Sequence, residues 1–118
     1  MSTKSILVIE DNLDIRSLLV ELLNMEGHPT VEASNGAVAL NYLHNNPQPD
    51  LVLLDMMMPV MNGREFLDAL KLEPKNSNIP VIVMSAIADN VDTSGAQETL
   101  KKPLNLDTLL NLVSKYAH

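Results

Sequence analysis

The sequence predicts an α/β fold, with a parallel sheet and helices on both of its faces. Three observations predict it. First, three short apolar runs stand out: Ile6-Leu7-Val8-Ile9, Leu51-Val52-Leu53-Leu54 and Val81-Ile82-Val83-Met84. Each is continuous rather than alternating and rich in branched residues, as strands buried on both faces require. Second, the segments around them carry apolar residues at helical spacing. Third, the two patterns alternate along the chain, and that order places helices on both sides of a sheet.

The elements follow in order. After the strand Ile6–Ile9, the residues Ile15, Leu18, Leu19, Leu22 and Leu23 recur at i, i+3, i+4, i+7 and i+8, which marks one apolar helix face. Asp11-Asn12 can cap that helix and Gly27 can end it. A weaker strand is expected near Thr30–Ala33. Ala39, Leu40 and Leu43 give a second helical stripe after Asn35-Gly36. The strand Leu51–Leu54 leads to a third stripe, Phe66, Leu67 and Leu70, closed by Pro74. The strand Val81–Met84 is followed by a strand expected near Thr99–Lys101. Leu106, Leu109, Leu110, Val113 and Ala117 then form a last stripe, with Asn105 as its N-cap. The crossover before the fifth strand is short. Ala86 to Ala96 gives 11 residues, among them Asp89, Asn90, Asp92, Thr93, Ser94 and Gly95, which are poor helix-interior residues. One or two irregular turns are expected there rather than a full helix.

Composition narrows the function. A chain of 118 residues is the size of one domain, and 46% apolar residues suffice for a core. A net charge of −7 argues against duplex binding, which needs basic residues to displace counterions. The absence of cysteine removes disulfides, thiolate metal sites and a Cys nucleophile, and it suits a reducing compartment. No apolar run is long enough for a membrane span or a secretory signal. The expectation is a cytoplasmic protein of one domain, 1–118, without membrane insertion and without direct nucleic-acid contact.

In open α/β sheets, ligands bind beyond the carboxyl ends of the strands. Those ends carry Glu10-Asp11, Asp55, Ser85 and Lys101-Lys102-Pro103. If they converge, three carboxylates, a hydroxyl and an ammonium share one crevice. Three ionised carboxylates repel, so either one keeps its proton or a cation sits among them. Oxygen ligands alone select a hard ion such as Mg²⁺. An ion beside a carboxylate is what phosphoryl transfer needs, with Lys102 offsetting further charge and Ser85 donating a hydrogen bond. Asp55 is the natural covalent acceptor, and Glu10 and Asp11 suit the metal. Taken singly, each residue has an ordinary explanation: a helix cap, a turn, a strand end, a solvated lysine. The Met56-Met57-Met58 run reads most simply as packing. It is the coincidence of four features at four strand ends that favours a site.

The segments Ile6-Leu7-Val8-Ile9-Glu10-Asp11-Asn12, Leu51 through Gly63, Ile79 through Ala86 and Lys102-Pro103-Leu104 resemble the receiver domain of two-component response regulators. The resemblance covers nearly the whole chain, and Asp55 to Gly63 is its most specific part. It implies a three-layer α/β/α flavodoxin-like fold with sheet order 2-1-3-4-5. It implies that Asp55 accepts a phosphoryl group from a phosphohistidine on a histidine kinase or histidine phosphotransfer protein, and that the phosphorylated form acts on a downstream protein target. Glu10, Asp11, Asp55 and the backbone carbonyl of Met57 would hold Mg²⁺. Ser85 would be the switch hydroxyl, Lys102 would pair with the phosphoryl group, and Pro103 would follow a cis peptide. Pro59 and Gly63 match the family's loop geometry. The domain would be no enzyme in the ordinary sense, its chemistry being confined to transfer and hydrolysis at its own Asp55.

Two features depart from the family pattern. Receivers usually carry an aromatic three residues before the lysine, and here that position is Thr99. Ser85 and Lys102 are 17 positions apart. That is shorter than usual by about five residues, roughly one and a half helical turns. The shortening falls in the fourth helix, which is expected to be short or irregular, with output through that face altered. Met57 and Ile87 are apolar at positions that tune water access in the family, so a slow-decaying phosphoform is expected. The competing reading is a pseudo-receiver, an interaction module with weakened switching. A flavin-binding protein or an aspartate-nucleophile phosphatase ranks last. No phosphate loop follows the first strand, and no second Asp stands two residues beyond Asp55. His28, His44 and His118 form no ligand set. No output segment follows the last stripe, which suits both a stand-alone regulator and one domain of a longer protein.

Overall fold

The computed structural model describes residues 5–58, 60–86 and 93–117. Five strands, β1 (Ile6–Ile9), β2 (Thr30–Ala33), β3 (Leu51–Asp55), β4 (Val81–Ala86) and β5 (Glu98–Lys102), form one sheet in the order β2-β1-β3-β4-β5. Every pairing is parallel. Among the described residues there are four helices, α1 (Leu13–Met25), α2 (Gly36–Asn45), α3 (Gly63–Lys71) and α4 (Leu106–Tyr116). This is the flavodoxin-like arrangement expected from the sequence. None of the described helices is long and apolar enough to cross a membrane.

Alternation along the strands divides the interior into two layers. Leu7, Ile9, Val52, Leu54, Val81 and Val83 point to the face covered by α2 and α3, where Phe66, Leu67 and Leu70 join them. Ile6, Val8, Leu51, Leu53, Ile82 and Met84 point to the face covered by α1 and α4, and meet Leu19, Leu23, Leu109 and Val113. The central strands are apolar up to their carboxyl ends because both faces are covered.

All four helices begin on an asparagine. Asn12, Asn35, Asn62 and Asn105 each accept, through the side chain, the backbone N–H three residues on, at 2.9–3.0 Å. Asn62 also donates its own N–H to Glu65 Oε1 at 3.0 Å, which completes a capping box. These caps satisfy donors that the first helical turn leaves open.

The first stripe is only partly buried: Leu19 and Leu23 are covered, whereas Ile15 and Leu18 are 36% and 54% exposed. They lie on the first turns of α1 and, with Leu19, line an apolar groove of about 400 Å³ with Lys102, Pro103, Leu104 and Leu106. Most of the short crossover, 87–92, lies outside the described residues, as do Pro59, Ile87 and His118. Its described end is a turn in which Ala96 N–H donates to Thr93 O at 3.1 Å, with Gly95 at φ +96°.

Candidate functional site

The carboxyl ends of β1, β3, β4 and β5 do converge. The strand register places Ile9 beside Leu54, Asp55 beside Met84, and Ser85 and Ala86 beside Lys101 and Lys102. One carboxylate oxygen from each of Glu10, Asp11 and Asp55 lies within 4.8 Å of the others. Glu10 and Asp55 are 1% and 2% exposed, while Asp11 faces solvent. The site is therefore a buried acidic floor with an open side.

Lys102 reaches this floor from β5. Its Nζ donates to Asp55 Oδ1 at 3.0 Å and stands 3.8 Å from Glu10 Oε1. Asp55 Oδ1 also accepts the Met57 N–H at 3.3 Å. Ser85 is buried at the end of β4, the residue after the register partner of Asp55. The peptide between Lys102 and Pro103 is cis. Glu10, Asp11, Asp55, Ser85 and Lys102 thus gather at one rim, as the strand-end reading expected, with Met57, which only the family resemblance named, beside Asp55.

Sequence reasoning missed Arg16. Its Nη1 donates to the backbone carbonyl of Glu10 at 2.8 Å, and its Nε pairs with Glu32 at 3.0 Å. It ties the end of β1 to β2 and to α1, and so fixes where Glu10 stands. Nothing local in the sequence marks it, because Glu32 lies on another strand. Three further polar residues outside this site have partners. His44 pairs with Glu73, Lys75 donates to the carbonyls of Leu43 and Asn46, and Lys71 donates to Ser77 O.

The loop after Asp55 is tightly built. Gly63 N–H donates to Met56 O at 3.0 Å. A Cβ at Gly63 would stand 2.7 Å from the Met56 Cα and 3.0 Å from the Asp55 backbone oxygen, both backbone atoms. Val60, 80% exposed, holds φ at +68°, a costly value for a β-branched residue. Gly63→Ala is therefore expected to cost about 1–3 kcal/mol of stability by overpacking. Chemical denaturation measures this, and an unchanged midpoint would contradict the close approach.

Charge balance in the floor is uneven. Burial, together with Asp55 and Asp11 beside it, pushes the Glu10 carboxyl up to about 8, against a smaller opposing pull from Lys102. Glu10 Oε1 is buried and accepts no hydrogen bond among the described residues. An orphaned buried oxygen, two further carboxylates and no nitrogen or sulfur donor among them fit a hard divalent cation such as Mg²⁺.

A pH prediction follows. A carboxyl whose pKa is raised in the folded state binds its proton more tightly there than in the unfolded chain. Its contribution is complete below the ordinary value of 4.5 and is lost as pH rises towards about 8. Without divalent cation, stability is expected to fall over that window by on the order of 2 kcal/mol. Added Mg²⁺ should restore it, most strongly at the alkaline end, where no proton competes. Thermal unfolding across this range, with Mg²⁺ or with EDTA, measures both effects; a metal-free stability that rises from pH 5 to 8 would contradict the assignment.

The family model for the response regulator receiver domain matches residues 6–114. Sporulation initiation phosphotransferase F of Bacillus subtilis is 40% identical over 121 aligned positions, covering 98% of this chain and 95% of that protein. The phosphate regulon transcriptional regulatory protein PhoB of Escherichia coli is 36% identical over 86% of this chain, which spans only 46% of PhoB. The signal receiver domain of a histidine kinase from Syntrophus aciditrophicus superposes with a TM-score of 0.88 at 29% identity, covering 96% of this chain and 89% of that one.

Proposed function

The chain belongs to the family of response regulator receiver domains, and from that premise we propose that it is a phosphoacceptor switch. Asp55 takes a phosphoryl group from the phosphohistidine of a histidine kinase or a histidine phosphotransfer protein. The observation that carries this reading is a buried Asp55 carboxylate with Lys102 Nζ at 3.0 Å and two more carboxylates within 4.8 Å. In the transfer, an Asp55 oxygen attacks phosphorus. The O–P bond forms as the N–P bond of the donor breaks, and the departing imidazole nitrogen keeps the electron pair and takes a proton.

Lys102 offsets the charge that arrives with the phosphoryl group. Ser85 offers its hydroxyl to a phosphoryl oxygen after transfer. Glu10, Asp11, Asp55 and the Met57 carbonyl would hold Mg²⁺, which when bound neutralises charge on the phosphoryl oxygens. Residues 1–118 act as one receiver unit in the cytoplasm, and a downstream protein reads its phosphorylated state. Identity of 40% to a protein named a phosphotransferase, over 95% of its length, supports a place in a relay that passes the group onward.

The test uses two donors. Incubation with acetyl phosphate and Mg²⁺ is expected to add one phosphoryl group by intact mass, and EDTA should prevent it. A histidine-phosphorylated kinase domain should give the same product faster. A protein left unmodified by both donors would sink the reading.

One observation favours a second reading. Thr99 is exposed on β5 where receivers carry an aromatic, and its hydroxyl lies 3.4 Å from Thr93 Oγ1. A pseudo-receiver would bind its partner with equal affinity before and after phosphorylation, whereas a switch would not.

A further inference from the structure

We propose that Met57 is a site of reversible methionine sulfoxide formation, and that the oxidised side chain shortens the life of the phosphoform. The location of the modification stands by itself; its consequence rests on the phosphoacceptor reading above.

The chain has seven methionines and no cysteine, so all its sulfur chemistry is thioether chemistry. The described methionines differ sharply in access. Met56, Met58 and Met84 are buried in the two core layers. Met61 is partly buried and packs over Gly36, whose missing Cβ leaves it room. Only Met25 and Met57 stand well out, 75% and 55% exposed. Oxidation follows exposure, so a peroxide in solution meets these two thioethers before the buried ones.

They lie at opposite ends of the molecule. Met25 closes α1 near the end of the sheet where the strands begin, since β2 starts five residues later at Thr30, beside Ile6. Met57 follows the acceptor by two residues, and its N–H donates to Asp55 Oδ1 at 3.3 Å. Its backbone is therefore held against the acceptor carboxylate while its side chain leaves for solvent. A change of polarity on that side chain falls at the open side of the acidic floor.

The chemical step needs a hydroperoxide. The sulfur lone pair attacks the distal peroxide oxygen. The S–O bond forms as the O–O bond breaks, sulfur gives up two electrons, and with hydrogen peroxide the product is one water. A thioether is apolar and hinders an ordered water beside an acyl phosphate. A sulfoxide oxygen accepts hydrogen bonds and holds water there. Hydrolysis of the phosphoform is then expected to quicken by about fivefold, the gain from one added hydrogen bond to the attacking water. Methionine sulfoxide reductase chemistry would reverse the change.

The test treats the whole chain with dilute hydrogen peroxide, maps sulfoxides by peptide mass spectrometry, and follows decay of the phosphoform made with acetyl phosphate and Mg²⁺. Sulfoxide is expected at Met57 and Met25 ahead of Met56, Met58 and Met84, with decay about fivefold faster after treatment. The ratio of treated to untreated decay should fall to one in Met57→Leu and keep its full value in Met25→Leu. Reductase treatment should return the original rate. Three results overturn the proposal: Met57 no more reactive than the buried methionines; Met57 fully oxidised with unchanged decay; or a response that survives in Met57→Leu. A protein that takes up no phosphoryl group before any peroxide overturns the phosphoacceptor reading, and this inference with it.

Discussion

Asp55→Asn is expected to abolish phosphoryl uptake and, in the same protein, to raise the unfolding temperature. The loss is complete because an amide oxygen cannot form the acyl phosphate under these conditions, and neither neighbouring carboxylate can stand in for it. Glu10 stands 3.8 Å from Lys102 Nζ, against 3.0 Å for Asp55, and Asp11 faces solvent at the turn into α1. The gain has a separate origin. Asp55 and Glu10 are both buried, and their mutual repulsion is what helps push the Glu10 carboxyl up to about 8. Asparagine removes one charge and keeps the shape. Its oxygen can still accept the Met57 N–H, and its amide nitrogen can donate to Glu10 Oε1, which accepts no hydrogen bond among the described residues. Against this stands the weakened pair with Lys102 at 3.0 Å. The pair sits at a rim where water screens it, so the relief outweighs it by about 1 kcal/mol, worth a few degrees in a domain of this size. The gain should be larger at pH 8 than at pH 5, where Glu10 already carries its proton. Intact mass after donor treatment and thermal unfolding at the two pH values measure it. Residual phosphorylation would move the acceptor elsewhere, and a lower unfolding temperature would mean that the acidic floor is not under repulsive strain.

The convergence behind this result was legible in the sequence for a simple reason. Parallel strands buried on both faces leave continuous apolar runs, and the first polar residue after each run marks the sheet's carboxyl edge. Glu10, Asp55 and Ser85 could be placed in this way, and Lys102 from the end of a weaker run. Strands β1 and β2 match their expected bounds, β3 and β4 extend by one and two residues into the site itself, and β5 gains one residue at each end and so reaches Lys102. What periodicity could not supply was the limit of the sheet's cover. Ile15 and Leu18 share a stripe with Leu19 and Leu23, but they lie on the first turns of α1 and open into the groove beside Pro103 and Leu106. The proton on Glu10 was foreseen only as one of two alternatives, because which carboxylate is buried depends on tertiary packing. Arg16 was invisible for the same reason: its partners, the Glu10 carbonyl and Glu32, meet only once β1 and β2 are paired. Asp11-Asn12 and Asn105 were legible as the caps that start α1 and α4, whereas Asn62 and its capping box with Glu65 went unread.

Lys102→Ala should lower the rate of phosphoryl transfer to Asp55 by about 10²–10³-fold, the usual cost of removing one charged donor from a transition state that gathers negative charge. The ammonium stands 3.0 Å from Asp55 Oδ1 and 3.8 Å from Glu10, so it serves the ground state as well. Lys102 pulls the Glu10 carboxyl down against the effect of burial, and without it that carboxyl should rise further. The metal-free variant should then hold its proton to higher pH, and Mg²⁺ binding should require more alkaline conditions, because a bound proton must leave first. Stability should drop as well, since two buried carboxylates lose the cation between them. Partial exposure of Lys102 tempers the loss to about 1–2 kcal/mol, with the larger value at pH 8, where Glu10 is more ionised. The two consequences separate by experiment. Stopped-flow transfer from a phosphorylated histidine donor reads the first, and thermal unfolding at pH 5 and pH 8 reads the second. A purely structural lysine would lower stability while leaving the transfer rate near that of the unaltered protein at saturating Mg²⁺. The placement of Nζ 3.0 Å from the Asp55 carboxylate, the proposed acceptor, argues for loss of both, and a transfer rate that survives intact would remove Lys102 from the chemistry.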